Sequence, residues 1–314
     1  MTAAFASHPF DLAIATGVLP ALLCSPPGSP PPWATALLLP GSGPIDHDGN
    51  APGAPLGIQL ALAEALAVAG MASVRFDRRG VADDHDWKDA TFSDNYADAR
   101  QAWLAMAADP RVDTQKMVLI GHSEGALHAT QLAADGALRP APCATVLLAG
   151  SAQLGRDVLL RQARLIGRSS QPGEGQSQAA HAAAILEQAE EAQRQIRATS
   201  TNVAEVSGVS INAGWLRQFL DYNPKPDLLE VRGPMLAITG DKDLQVDPDD
   251  LTTMAEAVPG PCRTLRPADL THLLRHDPAP PTLADYPRQI AEPVDTEVID
   301  TVCQWLTGLV VKAP

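Results

Sequence analysis

Aromatic and basic side chains are scarce in this sequence. Aromatic residues make up 4% of the 314-residue chain and apolar residues 45%, so the interior has to be mostly aliphatic. There are 23 Lys and Arg residues against 37 Asp and Glu residues, which gives a formal net charge of −14 at pH 7. Nucleic acids and anionic lipids repel so acidic a chain. No apolar run approaches the roughly 18 residues of a membrane span. We therefore expect neither a nucleic-acid partner nor a membrane span.

The cysteines are few and far apart in sequence, and they form no C-x-x-C motif. A zinc site or a disulfide framework is therefore not expected, and free thiols are. The first residues, M-T-A-A-F-A-S-H-P-F-D, contain no basic segment followed by an apolar one. We therefore expect no secretory signal and a soluble, cytoplasmic protein. The cysteines are Cys24, Cys143, Cys262 and Cys303.

Short apolar runs alternate with helical patterns along most of the chain. Continuous apolar runs of about five residues are typical of strands that are buried on both faces. Strands that alternate with helices of ten or more residues predict a doubly wound, mostly parallel sheet, and so an α/β fold. The runs lie at 35–39, 72–77, 117–120, 144–150 and 235–239.

This alternation stops between residues 152 and 225, where helical patterns continue without a strand signal. We predict a helical cap insertion here, over the carboxyl ends of the strands. It divides the core into a first part, residues 1–151, and a second part, residues 226–314. Trp215 and Phe219 lie on a predicted short helix of the insertion and are our candidates for lining a substrate pocket. Ordinary packing is the alternative for both side chains.

A G-x-S-x-G motif at Gly121–Gly125 follows the apolar run Met117–Ile120 and precedes a helical pattern. Strand, tight turn and helix are the context in which this motif presents a nucleophile. Gly121 and Gly125 remove the Cβ atoms that would clash as the strand turns into the helix. Ser123 would then stand at the carboxyl end of a central strand, where ligands of open α/β sheets bind. The alternative is an ordinary turn that contains a serine.

Five segments of the chain resemble, in the same order, those of the α/β-hydrolase superfamily. Within them G-S-G-P-I-D-H-D-G-N, F-D-R-R-G, G-H-S-E-G and G-D-K-D-L-Q-V resemble the bacterial EstD-like carboxylesterases. The resemblance implies an α/β-hydrolase fold with a helical cap, and a serine hydrolase that uses no cofactor. The five segments are Leu37–Asn50, Phe76–Gly80, Val118–Gly125, Ile238–Val246 and Leu270–Leu273.

The resemblance also implies a catalytic triad in the chain order Ser123 (nucleophile), Asp243 (acid) and His272 (base). A neutral imidazole takes the proton of the serine hydroxyl during attack and later gives it to the leaving group. A buried carboxylate fixes the imidazole tautomer and stabilises the imidazolium. Asp241 and His276 lie close to the acid and the base in sequence and are the alternatives; we favour Asp243 and His272.

The oxyanion of the tetrahedral intermediate needs fixed hydrogen-bond donors, and losing one typically costs about 2.7–4 kcal/mol. One donor is expected to be the backbone N–H of Glu124, directly after the serine. The resemblance assigns the other to the backbone N–H of Ser42. Pro40 stands where many relatives carry histidine, and this departure makes the position of Ser42 less well defined.

Two charged loops could be interpreted as ion-binding sites. The run Asp46–Asp48 could suggest a metal, but three adjacent residues in a loop do not easily face one ion, so we expect loop hydrogen bonds and no metal. Arg78 and Arg79 could bind an anion, and we expect ion pairs within the loop instead.

We therefore expect a hydrolase that cleaves a small-molecule carboxylic ester through an acyl-enzyme on Ser123. An acyl-aminoacyl peptidase, a thioesterase or a lactone hydrolase would use the same triad, and fold does not choose among them. A non-catalytic protein that binds a ligand under the cap is the alternative outside the enzymes. Such a protein usually lacks a triad residue, and here all three are present.

Overall fold

Twelve strands lie in the part of the chain that the computed structural model describes, which is residues 5–10, 12–82, 86–173 and 175–310. Eight of them form one sheet. The strands are β1 (Ala6–Pro9), β2 (Leu12–Ile14), β3 (Gly17–Leu19), β4 (Ala21–Ser25), β5 (Trp33–Leu39), β6 (Ala72–Phe76), β7 (Val112–His122), β8 (Ala144–Leu148), β9 (Val203–Val206), β10 (Val209–Asn212), β11 (Met235–Ile238) and β12 (Cys262–Leu265).

Ten α-helices and two short 3₁₀ helices, Trp87–Asp89 and Leu283–Asp285, complete the described part. None of these helices is both long and apolar enough to cross a membrane. The α-helices are α1 (Ile58–Val68), α2 (Phe92–Ala108), α3 (Glu124–Ala134), α4 (Gly155–Ser169), α5 (Gln178–Ala198), α6 (Ala213–Asp221), α7 (Lys225–Leu228), α8 (Asp250–Ala257), α9 (Tyr286–Ile290) and α10 (Thr296–Val310).

The main sheet has the strand order β1-β4-β6-β5-β7-β8-β11-β12. Neighbours from β6 to β12 run parallel, whereas β4 pairs antiparallel with both of its neighbours, β1 and β6. The predicted α/β fold with a mostly parallel sheet is therefore confirmed. Strands β2 and β3 form a small hairpin apart from this sheet.

Helices cover both faces of the sheet, which explains why its central strands are apolar on both sides. Helices α1 and α10 pack on one face, through side chains such as Leu62 and Leu306. Helices α2, α3 and α8 pack on the other, through Trp103, Leu132 and Met254. Strands β5, β8 and β11 are buried along their whole length, as strands between two helical layers have to be.

The segment 152–225 is not helical throughout, and the expectation that it contains no strand is wrong. After α4 and α5, β9 and β10 pair as an antiparallel hairpin. Ser207 and Gly208 form its two-residue turn, with φ values of 52° and 79°. Tight hairpin turns with positive φ at both positions favour glycine and small polar residues. The strands are only four residues long, and each buries a single residue, so their apolar pattern is weak.

This insertion attaches to loops at the carboxyl edge of the sheet. Arg161 of α4 pairs with Asp247, which follows β11, at 3.0 Å. Asn212, at the end of β10, donates from Nδ2 to the carbonyl of Ala90 at 2.6 Å, in the segment after β6. The two contacts lie at loops that follow different strands, so the insertion spans the edge where ligands of open α/β sheets bind.

Two glycines allow β7, α3 and β5 to approach one another closely. A Cβ atom on Gly121 would collide with the carbonyl of Gly125, and a Cβ atom on Gly125 with the carbonyl of Leu39. All the clashing atoms belong to the backbone, which cannot rotate away as a flexible side chain would. The start of α3 therefore lies directly against the end of β5.

Gly125→Ala should lower the melting temperature because the new methyl group forces α3 away from β5. Overpacking of a buried site typically costs about 1–3 kcal/mol, which is roughly 5 °C for a protein of this size. The measurement is thermal unfolding followed by circular dichroism.

Gly136→Ala is the matched control, because a methyl group there meets no atom within 4 Å. Equal melting temperatures for the two variants would contradict this account of the packing.

Candidate active site

The turn between β7 and α3 places Ser123 in a strained conformation. Its backbone has φ 55° and ψ −118°, outside the regions that non-glycine residues normally adopt. Its N–H donates to the carbonyl of Leu148 on the neighbouring strand at 2.9 Å, which ties the turn to the sheet. The serine side chain is half-buried at the carboxyl edge of the sheet, at the end of a central strand.

Ser123, His272 and Asp243 form a continuous chain of hydrogen bonds. His272 Nε2 lies 3.1 Å from Ser123 Oγ, and His272 Nδ1 lies 2.8 Å from Asp243 Oδ2. Because a carboxylate only accepts, Nδ1 carries the proton and Nε2 is left to accept from the serine hydroxyl. The Asp243 and His272 side chains are 0% and 4% exposed, so bulk water does not compete for these bonds.

The neighbours that could have replaced the acid and the base lie elsewhere. Asp241 is exposed and its carboxylate accepts from the backbone N–H of Asp269 at 2.7 Å. His276 is also exposed, whereas His272 is buried. Asp243 additionally accepts from the N–H groups of the residues two and three further along, both at 2.8 Å. These bonds hold its carboxylate in place.

His122, beside the serine, supports the loop of the histidine and does not contact the serine hydroxyl. Its Nε2 donates to the backbone carbonyl of His272 at 2.9 Å. Burial, reinforced by the nearby His272 ring, lowers the pKa of His122 to about 4. The ring is therefore neutral at pH 7 and remains a donor through Nε2.

A buried ionic cluster, which the sequence analysis did not identify as one unit, lies behind the turn. The Glu124 carboxylate accepts from Arg78 at 2.8 Å, from Asn95 at 3.0 Å and from His128 at 3.0 Å. Burial by itself would raise the pKa of Glu124, but the charge of Arg78 and the hydrogen bond from His128 outweigh it and hold the pKa well below its usual range. The other terminal nitrogen of the Arg78 guanidinium donates to the carbonyl of Gly41. The cluster thus ties the loop after β5 to the start of α3.

The residues that carry the two expected oxyanion donors line the same cavity. Ser42 and Glu124 both line the cavity that contains Ser123. A Cβ atom on Gly41 would lie 3.5 Å from Ser123 Cβ, so the loop that carries Ser42 closely approaches the serine. The N–H of Glu124 is among the first four of α3, which have no partner within a helix.

The side chains of the other charged motifs form structural hydrogen bonds and ion pairs. Asp46 accepts from the N–H groups of Asp48 and Asn50, at 3.0 and 2.8 Å. The His47 ring lies 2.6 Å from Asp77. In the described ranges no group of three or more His, Cys, Asp or Glu side chains could hold a metal ion. Arg79 forms a two-pronged ion pair with Asp98, each contact at 2.7 Å.

Residues 56–279 match the family described as serine aminopeptidase, S33. The chain belongs to this family of α/β-hydrolases. No curated protein sequence matches it.

Solved structures with the same fold include bacterial and archaeal esterases. The structure of Est1E from Butyrivibrio proteoclasticus with ferulic acid bound has a TM-score of 0.64 and 15% identity, covering 96% of this chain and 99% of the other. The esterase Pf2001 from Pyrococcus furiosus has a TM-score of 0.56 and 14% identity, covering 98% and 91%. Dienelactone hydrolase from Anabaena variabilis has a TM-score of 0.54 and 16% identity, covering 98% and 99%. At these identities the likeness establishes the α/β-hydrolase fold.

In this protein a cavity of about 250 Å³ lies directly above Ser123. Trp215 and Phe219, the expected pocket residues, both line it. Their rings stack with centroids 4.7 Å apart, and both belong to α6 of the insertion. From the core, Leu127 of α3 also lines the cavity, so the serine faces a mostly apolar space.

Lowering the pH below 6.5 should weaken the fold through His122. The unfolded chain protonates this histidine near its ordinary pKa of 6.5, but the folded protein does so only near pH 4. Between these values the unfolded state binds more protons, so the free energy of unfolding falls as the pH falls. Above pH 6.5 this stabilising contribution is fully present. Urea unfolding at a series of pH values from 7 to 4 measures the slope.

His122→Gln keeps an N–H donor but cannot titrate, so its pH dependence should be flatter than that of the wild type. His276→Gln, at an exposed position, serves as the control. An unchanged slope in His122→Gln would be incompatible with a neutral, buried His122.

Proposed function

We propose that this protein is a carboxylic ester hydrolase that acts through an acyl-enzyme on Ser123. The observation that carries the proposal is the hydrogen-bonded chain from Ser123 through His272 to Asp243, with its serine end open to an apolar cavity. A nucleophile and a base within hydrogen-bond reach, with the base oriented by a third group, is the arrangement that activates a serine.

In the first half-reaction the Ser123 oxygen attacks the ester carbonyl carbon while His272 Nε2 takes the hydroxyl proton. The carbonyl oxygen becomes an oxyanion that accepts from the backbone N–H groups of Ser42 and Glu124. Collapse of the intermediate breaks the bond to the alcohol oxygen, and His272 delivers the proton to it. Asp243 stabilises the imidazolium that exists between the two proton transfers.

In the second half-reaction a water molecule replaces the alcohol. His272 removes a proton from this water, which attacks the acyl carbon and forms the second tetrahedral intermediate. The intermediate expels Ser123, which regains its proton from His272, and the carboxylic acid leaves. The groups that catalyse acylation therefore also catalyse deacylation, and no cofactor enters either step.

The insertion, residues 152–225, is proposed to act as a cap between the core parts 1–151 and 226–314. Its Trp215 and Phe219 side chains lie over Ser123 and would contact the acyl or alcohol group. Two aromatic rings provide a large apolar surface at the cost of few rotatable bonds. Substrate selection is thus assigned to the cap, and bond cleavage to the core.

Aminopeptidase activity, which the family description names, is a poorer fit to the cavity. Recognition of a free α-ammonium group requires an acceptor, usually a carboxylate with an unused lone pair. Glu124 is the one acidic residue among the described side chains that line this cavity. Its Oε1 already accepts from Arg78, Asn95 and His128, and its Oε2 has no hydrogen-bond partner among the described residues but is buried away from solvent. A neutral ester has no ammonium group and needs no such acceptor, so the cavity favours ester over aminopeptide substrates.

Ser123→Ala should abolish turnover and labelling by a fluorophosphonate probe, because the attacking oxygen is removed. The measurement is gel fluorescence of the labelled protein together with hydrolysis of a chromogenic ester, with circular dichroism to verify folding. Ser151→Ala, in the same cavity but away from the turn, is the control and should still be labelled. Labelling of the folded Ser123→Ala variant would exclude Ser123 as the nucleophile.

The ester assignment is tested within the same experiment by comparing an ester, a thioester and an anilide of one acyl group. Because the three substrates share one acyl group, differences in kcat/KM among them reflect only the bond that is cleaved. With an aminoacyl group as the common acyl group, faster turnover of the anilide than of the ester would replace our proposal by the peptidase alternative.

Asp243→Asn should reduce kcat far more than Asp241→Asn, although the two carboxylates are two residues apart. Loss of the buried carboxylate removes the partner that holds His272 in the correct tautomer, an effect on the order of 10⁴ in kcat in a serine protease. Asp241 is exposed and bonded to Asp269, so its substitution should change kcat by less than about threefold. A larger loss in Asp241→Asn than in Asp243→Asn would reverse the assignment of the acid.

A further inference from the structure

A second cavity, about 350 Å³ in volume, adjoins the one above Ser123 and has an unusual charge balance. Arg78, Arg79 and Lys88 line it, and no Asp or Glu does so in the described part of the chain. The chain as a whole has the opposite balance, with a net charge of −14. A concave site lined by one sign of charge concentrates the field and favours ligands of the other sign.

Lys88 carries the charge in this cavity that no carboxylate of the described residues neutralises. Arg78 pairs with Glu124 at 2.8 Å, and Arg79 pairs with Asp98 at 2.7 Å. The Lys88 ammonium lies 3.4 Å from Ser210 Oγ and 6.0 Å from the centre of the Trp87 ring, with no carboxylate of the described residues within 4.0 Å. Lys88 is therefore available to an anionic ligand.

The walls of the second cavity are held together across the boundary between core and insertion. One wall is the 3₁₀ helix Trp87–Asp89, and the other is the end of the β9–β10 hairpin. Asn212 donates from Nδ2 to the carbonyl of Ala90 at 2.6 Å, and Asn202 donates to the carbonyl of Asp89 at 3.1 Å. These bonds fix the distance between the walls, so the cavity exists before a ligand enters.

The position of the second cavity indicates which end of an ester it would hold. It shares Ser42 and Trp215 with the cavity above Ser123, but neither Ser123 nor His272 lines it. The leaving oxygen has to lie beside His272, which protonates it. The alcohol group therefore occupies the space next to His272, and the second cavity, reached past Ser42, takes the far end of the acyl group.

We propose that the preferred substrates are monoesters of dicarboxylic acids. The scissile carbonyl would lie at Ser123, the acyl chain would pass Trp215, and the free carboxylate would pair with Lys88. This inference rests on the proposed ester hydrolase function and adds the class of acyl group. In this proposal Lys88 is a specificity-determining residue. The bonds broken and formed are those of the ester hydrolysis proposed above.

The test compares p-nitrophenyl esters that differ only in the end of the acyl chain. The adipate half-ester is paired with the hexanoate ester, and the suberate half-ester with the octanoate ester. We expect a higher kcat/KM for the charged member of at least one pair. Lys88→Met should lower the charged-to-neutral ratio about fivefold, as expected for a partly exposed ion pair. Lys88→Arg should retain most of the preference, and added NaCl should reduce it in the wild type.

Lys225→Met is the matched control, because Lys225 lines neither cavity and its loss changes the net charge equally. Its ratio should equal that of the wild type. Ser123→Ala provides the background rate of each ester.

The two proposals fail in different ways. Hydrolysis of both members of each pair, without a preference for the charged ester or with a ratio that Lys88→Met leaves unchanged, overturns the dicarboxylic assignment and leaves ester hydrolysis intact. An absence of turnover with all four esters, together with an absence of fluorophosphonate labelling at Ser123, overturns both.

Discussion

The close approach of three backbones at the turn before α3 is the constraint on which the candidate site depends. Gly121 and Gly125 leave room for the start of α3 to lie against the end of β5. The loop that follows β5 is thereby brought beside Ser123, so a nucleophile and an oxyanion donor would come from one packing contact. The positive φ of Ser123 costs on the order of 1–3 kcal/mol, and the surrounding sheet and helix have to offset it.

Hydrogen bonds between buried polar groups then hold the loops of the candidate site in fixed positions relative to one another. Arg78 contacts both the Glu124 carboxylate and the Gly41 carbonyl, and His122 donates to the backbone of His272. Buried ion pairs add little net stability because desolvation is costly, so orientation is the better explanation for the Arg78–Glu124 pair. Each element of the proposed mechanism is in this way bonded to a neighbour that belongs to a different strand or loop.

The insertion contributes surfaces of two kinds above this rigid base. The aromatic pair Trp215 and Phe219 lines the cavity that contains Ser123, while the β9–β10 hairpin forms one wall of a second cavity whose other wall carries Lys88. The apolar space adjoins a positively charged one within a strongly acidic protein. This arrangement suits an ester whose acyl group is apolar in its middle and negatively charged at its end.

Local sequence determined the five central strands β5, β6, β7, β8 and β11 and the turn at Ser123, because apolar periodicity and glycine placement depend on neighbours along the chain. The α/β-hydrolase fold and superfamily followed from the order of five short motifs. The hairpin β9–β10 was not predicted, because each of its short strands buries only one residue and so shows little apolar pattern, although its turn residues were a signal. Only the tertiary structure decided between Asp241 and Asp243 as the partner of His272, because burial of one and exposure of the other depend on distant segments. The cluster around Glu124 and the position of Lys88 beside Ser210 also depended on the tertiary structure, since the residues in contact are far apart in sequence.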